Sequence, residues 1–233
     1  VIDLPDAITA CLFDLDGVLT QTAKVHAKAW KESFDAELRR REGDGFRPFD
    51  VHADYDRYVD GLPRYDGVRR FMESRGYHLD DAEIRRIGDE KNDRVLRLIH
   101  DDGVQPYEGS VRFLHAVRDA GLRTAVVSSS ANCRDVIEAA GIADLLEVRV
   151  DGTTLVERSL KGKPAPDSFL AAAQDLDVAP AHAAVFEDAL AGVEAGRAGH
   201  FGHVVGVNRV GQADALREHG ADVVVDDLAE LLR

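Results

Sequence analysis

Cysteine is scarce in this chain of 233 residues, with only Cys11 and Cys133 present. Two isolated thiols exclude a disulfide-stapled scaffold and lead us to expect a reducing compartment. Long apolar runs are missing too; none approaches the ~20 residues that a bilayer-spanning helix needs. The opening stretch VIDLPDAITACLFD is too short in its apolar part, and too acidic, for a secretory signal. A cytoplasmic protein without a membrane partner is therefore expected. Positive charge is in deficit, 29 basic against 43 acidic side chains for a net charge of −14. Such a field repels nucleic acid and anionic membranes. It would repel a phosphorylated small substrate as well, so a site for one needs local cations or a metal. No GxGxxG or GxxxxGK[ST] pattern occurs, which leaves dinucleotide and P-loop readings unsupported. Histidines such as His52, His115 and His203 lack the spacing of zinc ligands. Neither an internal repeat nor a low-complexity tract is visible.

What is present is the composition of an ordinary globular protein, 45% hydrophobic and 31% charged. The run ITACLF, from Ile8 to Phe13, ends at acidic residues and Gly17 and reads as a buried strand entering a tight turn. Amphipathic helical segments follow: AKVHAKAWKESFDAELRRR, YDGVRRFMESRG and DDAEIRRIGDEKNDRVLRLIHDDG. Gly76 and Gly103 stand where helices stop. After Gly103 the texture changes to strands alternating with helices: RTAVVSS, LLEVRV, HAAVFED, GHVVGVN and DVVVDD are the expected strands. Asp151-Gly152 reads as a turn and Tyr107-Glu108-Gly109 as a linker. Alternation of this kind predicts a parallel sheet covered on both faces. The expected architecture is a doubly wound α/β core, residues 1–21 and 104–233, with an inserted α-helical cap, residues 22–103.

In such sheets ligands bind at the carboxyl ends of the strands, and those ends carry unusual residues. Asp14 and Asp16, two apart, project to one side, and Gly17 permits the sharp turn that follows. Ser128-Ser129-Ser130 ends a second strand before a helix, where backbone N–H groups favour anions. Glu187-Asp188 ends a third, and Lys161-Gly162-Lys163-Pro164 brings lysine to the same face. Single acids after strands are usually caps or turn formers. Four carboxylates, a hydroxyl and a lysine in one place are harder to explain that way, because the carboxylates would repel one another without a cation. Oxygen-only donors point to a hard ion, with Mg²⁺ the usual one at phosphate sites. An aspartate beside the ion can attack phosphorus while a second one moves the acceptor's proton.

At these residues the chain resembles the haloacid dehalogenase-like hydrolase superfamily along essentially its whole length. FDLDGVLT, Ser128, Lys163 in KGKPAPD, and Glu187-Asp188 in FEDALAGVEAG look like that family's four motifs in order. The resemblance implies a Rossmann-like core with a cap, a nucleophile at Asp14, and a general acid/base at Asp16. It also implies Mg²⁺ held by Asp14, the Asp16 carbonyl, Asp188 and Glu187. A narrower likeness, carried by DLDGVLTQTAKVHAKAW, points to the β-phosphoglucomutase branch. It implies substrate contacts at Thr22, His26, Trp30, Gly61, Arg64, Lys91, Ser128, Ser130, Asn132 and Lys163, with His26 orienting Asp16. Three departures stand out: Asp60 and Ala131 where the branch has lysines, and Gln21 where it has an aspartate.

The resemblance thus implies interconversion of β-glucose 1-phosphate and glucose 6-phosphate through a phosphorylated Asp14. The alternative is a Mg²⁺-dependent sugar phosphate phosphatase, which passes the phosphoryl group to water. A non-catalytic sugar phosphate sensor is a further reading, and degraded motifs would be its mark. A monomer acting on a small sugar phosphate, with no nucleic-acid partner, is expected.

Overall fold

The computed structural model describes residues 1–233, except the side chains of Ala23 and Asp102. Strand β1 (Ala10–Phe13) is followed by four helices: α1 (Ala23–Glu42), α2 (Ala53–Tyr58), α3 (Arg64–Ser74) and α4 (Asp81–Asp102). Then come α5 (Glu108–Asp119), β2 (Arg123–Val127), α6 (Cys133–Ala139), β3 (Val148–Val150), α7 (Gly152–Glu157) and α8 (Asp167–Asp175). The chain ends with β4 (Ala183–Glu187), α9 (Leu190–Ala198), β5 (His203–Val207), α10 (Ala213–Glu218) and β6 (Val223–Val225). The six strands form one sheet in the order β3-β2-β1-β4-β5-β6, every neighbouring pair parallel. This is the doubly wound α/β fold that the strand–helix alternation predicts. Among the described residues, no helix is long and apolar enough to cross a membrane.

Period-two alternation in β1 divides the core. Cys11 and Phe13 face one side, packing with Phe113, Leu114 and Val117 of α5 and with Val136 of α6. Ala10 and Leu12 face the other, against Phe169, Ala172 and Ala173 of α8. Phe13 also stacks on Phe186, ring centroids 4.6 Å apart. Both faces of the sheet are thereby dry, as a parallel sheet requires.

Helices α1–α4 enclose a separate apolar cluster that includes Trp30, Phe34, Phe49, Phe71, Met72 and Ile87. Phe34 and Phe71 meet at 4.1 Å between centroids. Helix α4 begins with a capping box: Asp80 accepts from the Glu83 N–H at 2.9 Å, and Glu83 accepts from the Asp80 N–H at 3.2 Å. It stops at Gly103, where φ is +72°. The two chain crossings into this helical segment lie side by side. Gln21 N donates to Gln105 O (2.9 Å) and Tyr107 N to Leu19 O (3.0 Å).

Three local expectations are corrected, and one helix was not foreseen. Asp151 does not make a turn with Gly152; its Oδ1 accepts from the N–H groups of Thr153 and Thr154 at 3.0 and 3.1 Å and caps α7. Glu108 and Gly109 form the first turn of α5 rather than a linker. Gly109 is needed there because a Cβ would fall 1.6 Å from Asp227 Oδ1. Of LLEVRV only residues 148–150 pair as strand, since 143–145 wind into a 3₁₀ turn. Helix α2 lay in a stretch too polar and too short to announce itself by periodicity.

Candidate active site

Sheet register brings the strand-end residues together. Phe13 is level with Val126 on one side and Phe186 on the other, so Asp14 emerges between the ends of β2 and β4. Its N–H still donates to Phe186 O at 2.9 Å. Lys163 arrives from the loop before α8. Its Nζ lies 2.5 Å from Asp14 Oδ1 and 2.6 Å from Glu187 Oε1, and donates to Val127 O at 3.1 Å. The lysine is buried, with a side-chain exposure of 1%. Glu187 Oε2 accepts from the Ala189 N–H at 3.0 Å. Glycines make room for these acids. A Cβ at Gly192 would fall 1.8 Å from Glu187 Oε1, and one at Gly17 would fall 1.8 Å from Asp188 Oδ2. Gly17 also has φ +87°, a conformation open chiefly to glycine.

One oxygen each from Asp14, Glu187 and Asp188 lies within 4.8 Å of the others. Burial drives the Asp14 carboxyl well above the usual carboxylate range; Lys163 opposes this, while Glu187 and Asp16 reinforce it. Asp188 is raised likewise, first by burial and then by the charges of Asp60, Asp14, Glu187 and Asp16. Lys163 would be lowered by burial, yet Asp14 and Glu187 together carry it above the ordinary lysine range. One lysine is thus too little positive charge for these acids. All-oxygen donors that are close-set and under-neutralised fit a hard divalent cation such as Mg²⁺. Glu187 has one oxygen, Oε2, taken by the Ala189 N–H, while its buried Oε1 lies beside the Lys163 ammonium and has no hydrogen-bond partner, as an oxygen left for a cation would.

The helical segment supplies the other wall. Thr22 Oγ1 donates to Asp16 Oδ1, and His26 Nε2 is 3.6 Å from the same oxygen. Lys91 of α4 meets His26 Nδ1 at 2.7 Å and lies 4.7 Å from the Trp30 ring centre. Burial lowers His26 to about 4, helped by Lys91 and opposed by Asp16. It lowers Lys91 to about 7 against the pull of Asp16. Gly61, at φ +67°, receives Ser129 Oγ on its carbonyl at 2.9 Å. Between the walls lies a cavity of about 1430 Å³, lined among others by Asp14, Asp16, His26, Trp30, Gly61, Arg64, Lys91, Ser130, Lys163 and Asp188.

Four expected site residues are not on that lining. Thr22, Ser128, Asn132 and Glu187 are buried behind it. Ser128 Oγ accepts from the Ser130 N–H at 3.1 Å, and Asn132 Nδ2 donates to Asn92 Oδ1 at 2.8 Å. These two shape the loop after β2 in this arrangement instead of facing the cavity. Arg64 reaches the cavity beside Asp89, Nη1 to Oδ1 3.6 Å. Sequence reasoning noted Asp60 only as a departure and did not count it as a site residue. Its carboxyl lines the cavity and is pushed up to about 7 by burial, then by Glu187, Asp56 and Asp16. An acid beside a glycine in a loop carries no signal of that placement. Ser129, which ties the helical segment to the sheet, was hidden among three serines.

Residues 8–200 match the family model of the haloacid dehalogenase-like hydrolases. The chain is 56% identical to a β-phosphoglucomutase of Mycobacterium bovis, over 100% of this chain and 94% of that protein. It is 32% identical to the β-phosphoglucomutase of Bacillus subtilis, over 95% and 91% of the two. Among solved structures, a β-phosphoglucomutase from Clostridium difficile superposes with a TM-score of 0.81 at 28% identity, covering 97% of this chain and 93% of that one.

Proposed function

We propose a phosphomutase activity for this chain, which belongs to the haloacid dehalogenase-like hydrolase family: interconversion of β-D-glucose 1-phosphate and glucose 6-phosphate. The observation that carries the reading is one cavity lined by Asp14, Lys163 and Asp188, with Glu187 behind them, and by an Asp16 that Thr22 of the helical segment holds. The full-length likeness to β-phosphoglucomutases supports the choice of substrate.

In this reading Asp14 carries a phosphoryl group. The sugar's 6-hydroxyl attacks phosphorus, the bond from phosphorus to the Asp14 oxygen breaks, and the hydroxyl proton passes to Asp16. The bisphosphate then turns round. Its 1-phosphate returns to Asp14, and Asp16 gives its proton to the departing O1, leaving glucose 6-phosphate. When bound, Mg²⁺ held by Asp14, Asp188 and the Asp16 carbonyl, with Glu187 alongside, supplies charge neutralisation for the transferring group. Lys163 adds the second positive charge. Thr22 holds the Asp16 carboxylate by its hydrogen bond, and the neutral His26, its unpartnered Nε2 3.6 Å from the same oxygen, stands ready to donate on a small closing movement.

The division of labour also explains why a sugar and not water is the acceptor. We take residues 22–103 as a cap hinged at the paired crossings near Gln21 and Gln105. Asp16 meets Thr22, His26 and, through His26, Lys91 only when the cap is docked. An open, wet site then lacks an oriented proton acceptor, and a closed site excludes water. With Asp60 and Ala131 where the likeness leads one to expect lysines, we assign the phosphate that is not being transferred to Arg64, one of several cations on the cavity lining and the one the likeness points to.

Phosphorus NMR tests this, with purified protein, Mg²⁺, β-glucose 1-phosphate and a trace of glucose 1,6-bisphosphate. Glucose 6-phosphate without free phosphate is the expected result. Inorganic phosphate as the main product makes the chain a phosphatase and refutes the mutase reading.

A further inference from the structure

The loop after β5 reaches both sides of the carboxylate cluster, although none of the sequence motifs includes it. Arg209 Nε donates to Gly17 O at 2.7 Å, across 192 positions of chain. Its Nη1 donates to Asp226 O at 2.8 Å and lies 3.7 Å from Asp227 Oδ2. The guanidinium lies 3.6 Å from the centre of the Tyr107 ring, at the returning crossing of the helical segment. Three residues on, Gln212 Nε2 donates to Asp188 O at 2.9 Å. Gln212 is itself fixed by its N–H on Asn208 Oδ1 at 2.7 Å, and Asn208 Nδ2 by Asp226 Oδ1 at 2.7 Å.

The two acceptors have a common meaning. Gly17 directly follows Asp16, and the Asp188 carboxylate occupies the space where a Gly17 Cβ would stand. Moving either backbone by a fraction of an ångström therefore moves the Asp188 oxygens relative to Asp14. One loop grips both partners of that contact. A planar guanidinium with several fixed donors, stacked on an aromatic ring, suits such a clamp better than a lysine would.

We infer that Arg209 and Gln212 are positioning residues that set the spacing between the Asp14–Gly17 turn and Asp188, and so the affinity of the site for a divalent cation. The inference rests on the metal-site reading above. Groups that orient metal ligands from behind typically change metal affinity by about 10- to 100-fold when removed. Neither residue faces the cavity, so the effect belongs to the metal and not to the sugar.

The test is Mn²⁺ binding to the whole metal-free protein, followed by electron paramagnetic resonance without sugar, for wild type, D188N, R209M, R209K and Q212L. Binding to wild type, its loss in D188N, and about tenfold weaker binding in R209M and Q212L are expected. R209K should recover part of the affinity, because lysine keeps a donor for Gly17 O and loses the fork. In turnover assays excess Mg²⁺ should restore kcat of R209M and Q212L while KM for the sugar phosphate stays at its wild-type value. Wild-type Mn²⁺ affinity in both variants, with only a lowered Tm, makes the loop structural and overturns the inference while the metal site stands. If wild type fails to bind Mn²⁺, or D188N binds as well as wild type, the metal reading falls and takes this one with it. Should R209M not fold, the half-buried Gln212 decides the question alone.

Discussion

Replacing Lys163 by methionine removes a charge and little volume, so it isolates what the cation does. The ammonium nitrogen is 2.5 Å from Asp14 and 2.6 Å from Glu187, in a place with almost no solvent access. Taking one partner from a buried ion pair costs about 3–5 kcal/mol when the remaining charge has no escape. Here there is an escape, because the orphaned carboxyls can take up protons. Holding an acid protonated above its pKa costs about 1.4 kcal/mol per pH unit. The loss must therefore grow with pH. At about pH 8, in EDTA, Lys163→Met should lose the whole ~3–5 kcal/mol, or about 6–20 °C in Tm at ~2–4 °C per kcal/mol. At about pH 5.5 the loss should shrink by a kcal/mol or more, on the order of one pH unit's worth per acid. Urea titrations at the two pH values measure both numbers. An equal loss at both, or a larger one at the lower pH, would refute the argument that Lys163 is there to neutralise these acids. Turnover should fall by about 10²–10³, as for other lost stabilisers of transition-state charge.

The remaining predictions address the nucleophile, the metal and the glycine cradle. Asp14→Asn should abolish turnover and the acid-stable, base-labile phosphoprotein, with circular dichroism unchanged; near-normal activity would end the assignment. In EDTA, wild-type stability should fall as pH rises. Asp14 and Asp188 are raised acids, and Asp60 stands at about 7, so the folded form holds protons that the unfolded chain has released above its ordinary range of about 4. Melting curves should therefore show Mg²⁺ raising Tm more at about pH 8 than at about pH 5; the opposite order would contradict it. Gly192→Ala places a Cβ 1.8 Å from Glu187 Oε1. A destabilisation of ~1–3 kcal/mol, the usual range for overpacking, should appear in urea titrations together with loss of kcat, and an unchanged kcat would show that Glu187 can shift harmlessly.

What could be read in the chain alone was whatever its local chemistry repeats or concentrates. The apolar ITACLF run, the 3.6-residue periodicity of the helices and the alternation of strands with helices after Gly103 are short-range signals. They suffice for a parallel sheet with helices on both faces. The acids of Asp14-Leu15-Asp16-Gly17 and Glu187-Asp188 were visible because each pair is close in the chain, two apart in the first and adjacent in the second, and follows an apolar run.

Tertiary structure alone decided how these pieces meet. Parallel register sets Asp14 between the ends of β2 and β4, and no spacing in the chain announces that Lys163 will lie within 2.6 Å of two carboxylates. Whether an expected residue faces the cavity or stands behind it depends on side-chain partners, as with Asn132 and Asn92. Asp60 became part of the site through the docking of the loop after α2. Arg209 became part of it through a bond to Gly17 from the far end of the chain. Both are ordinary charged residues in ordinary loops. Their meaning comes from the low-dielectric place to which the fold carries them, where a single unpaired charge matters by several kcal/mol.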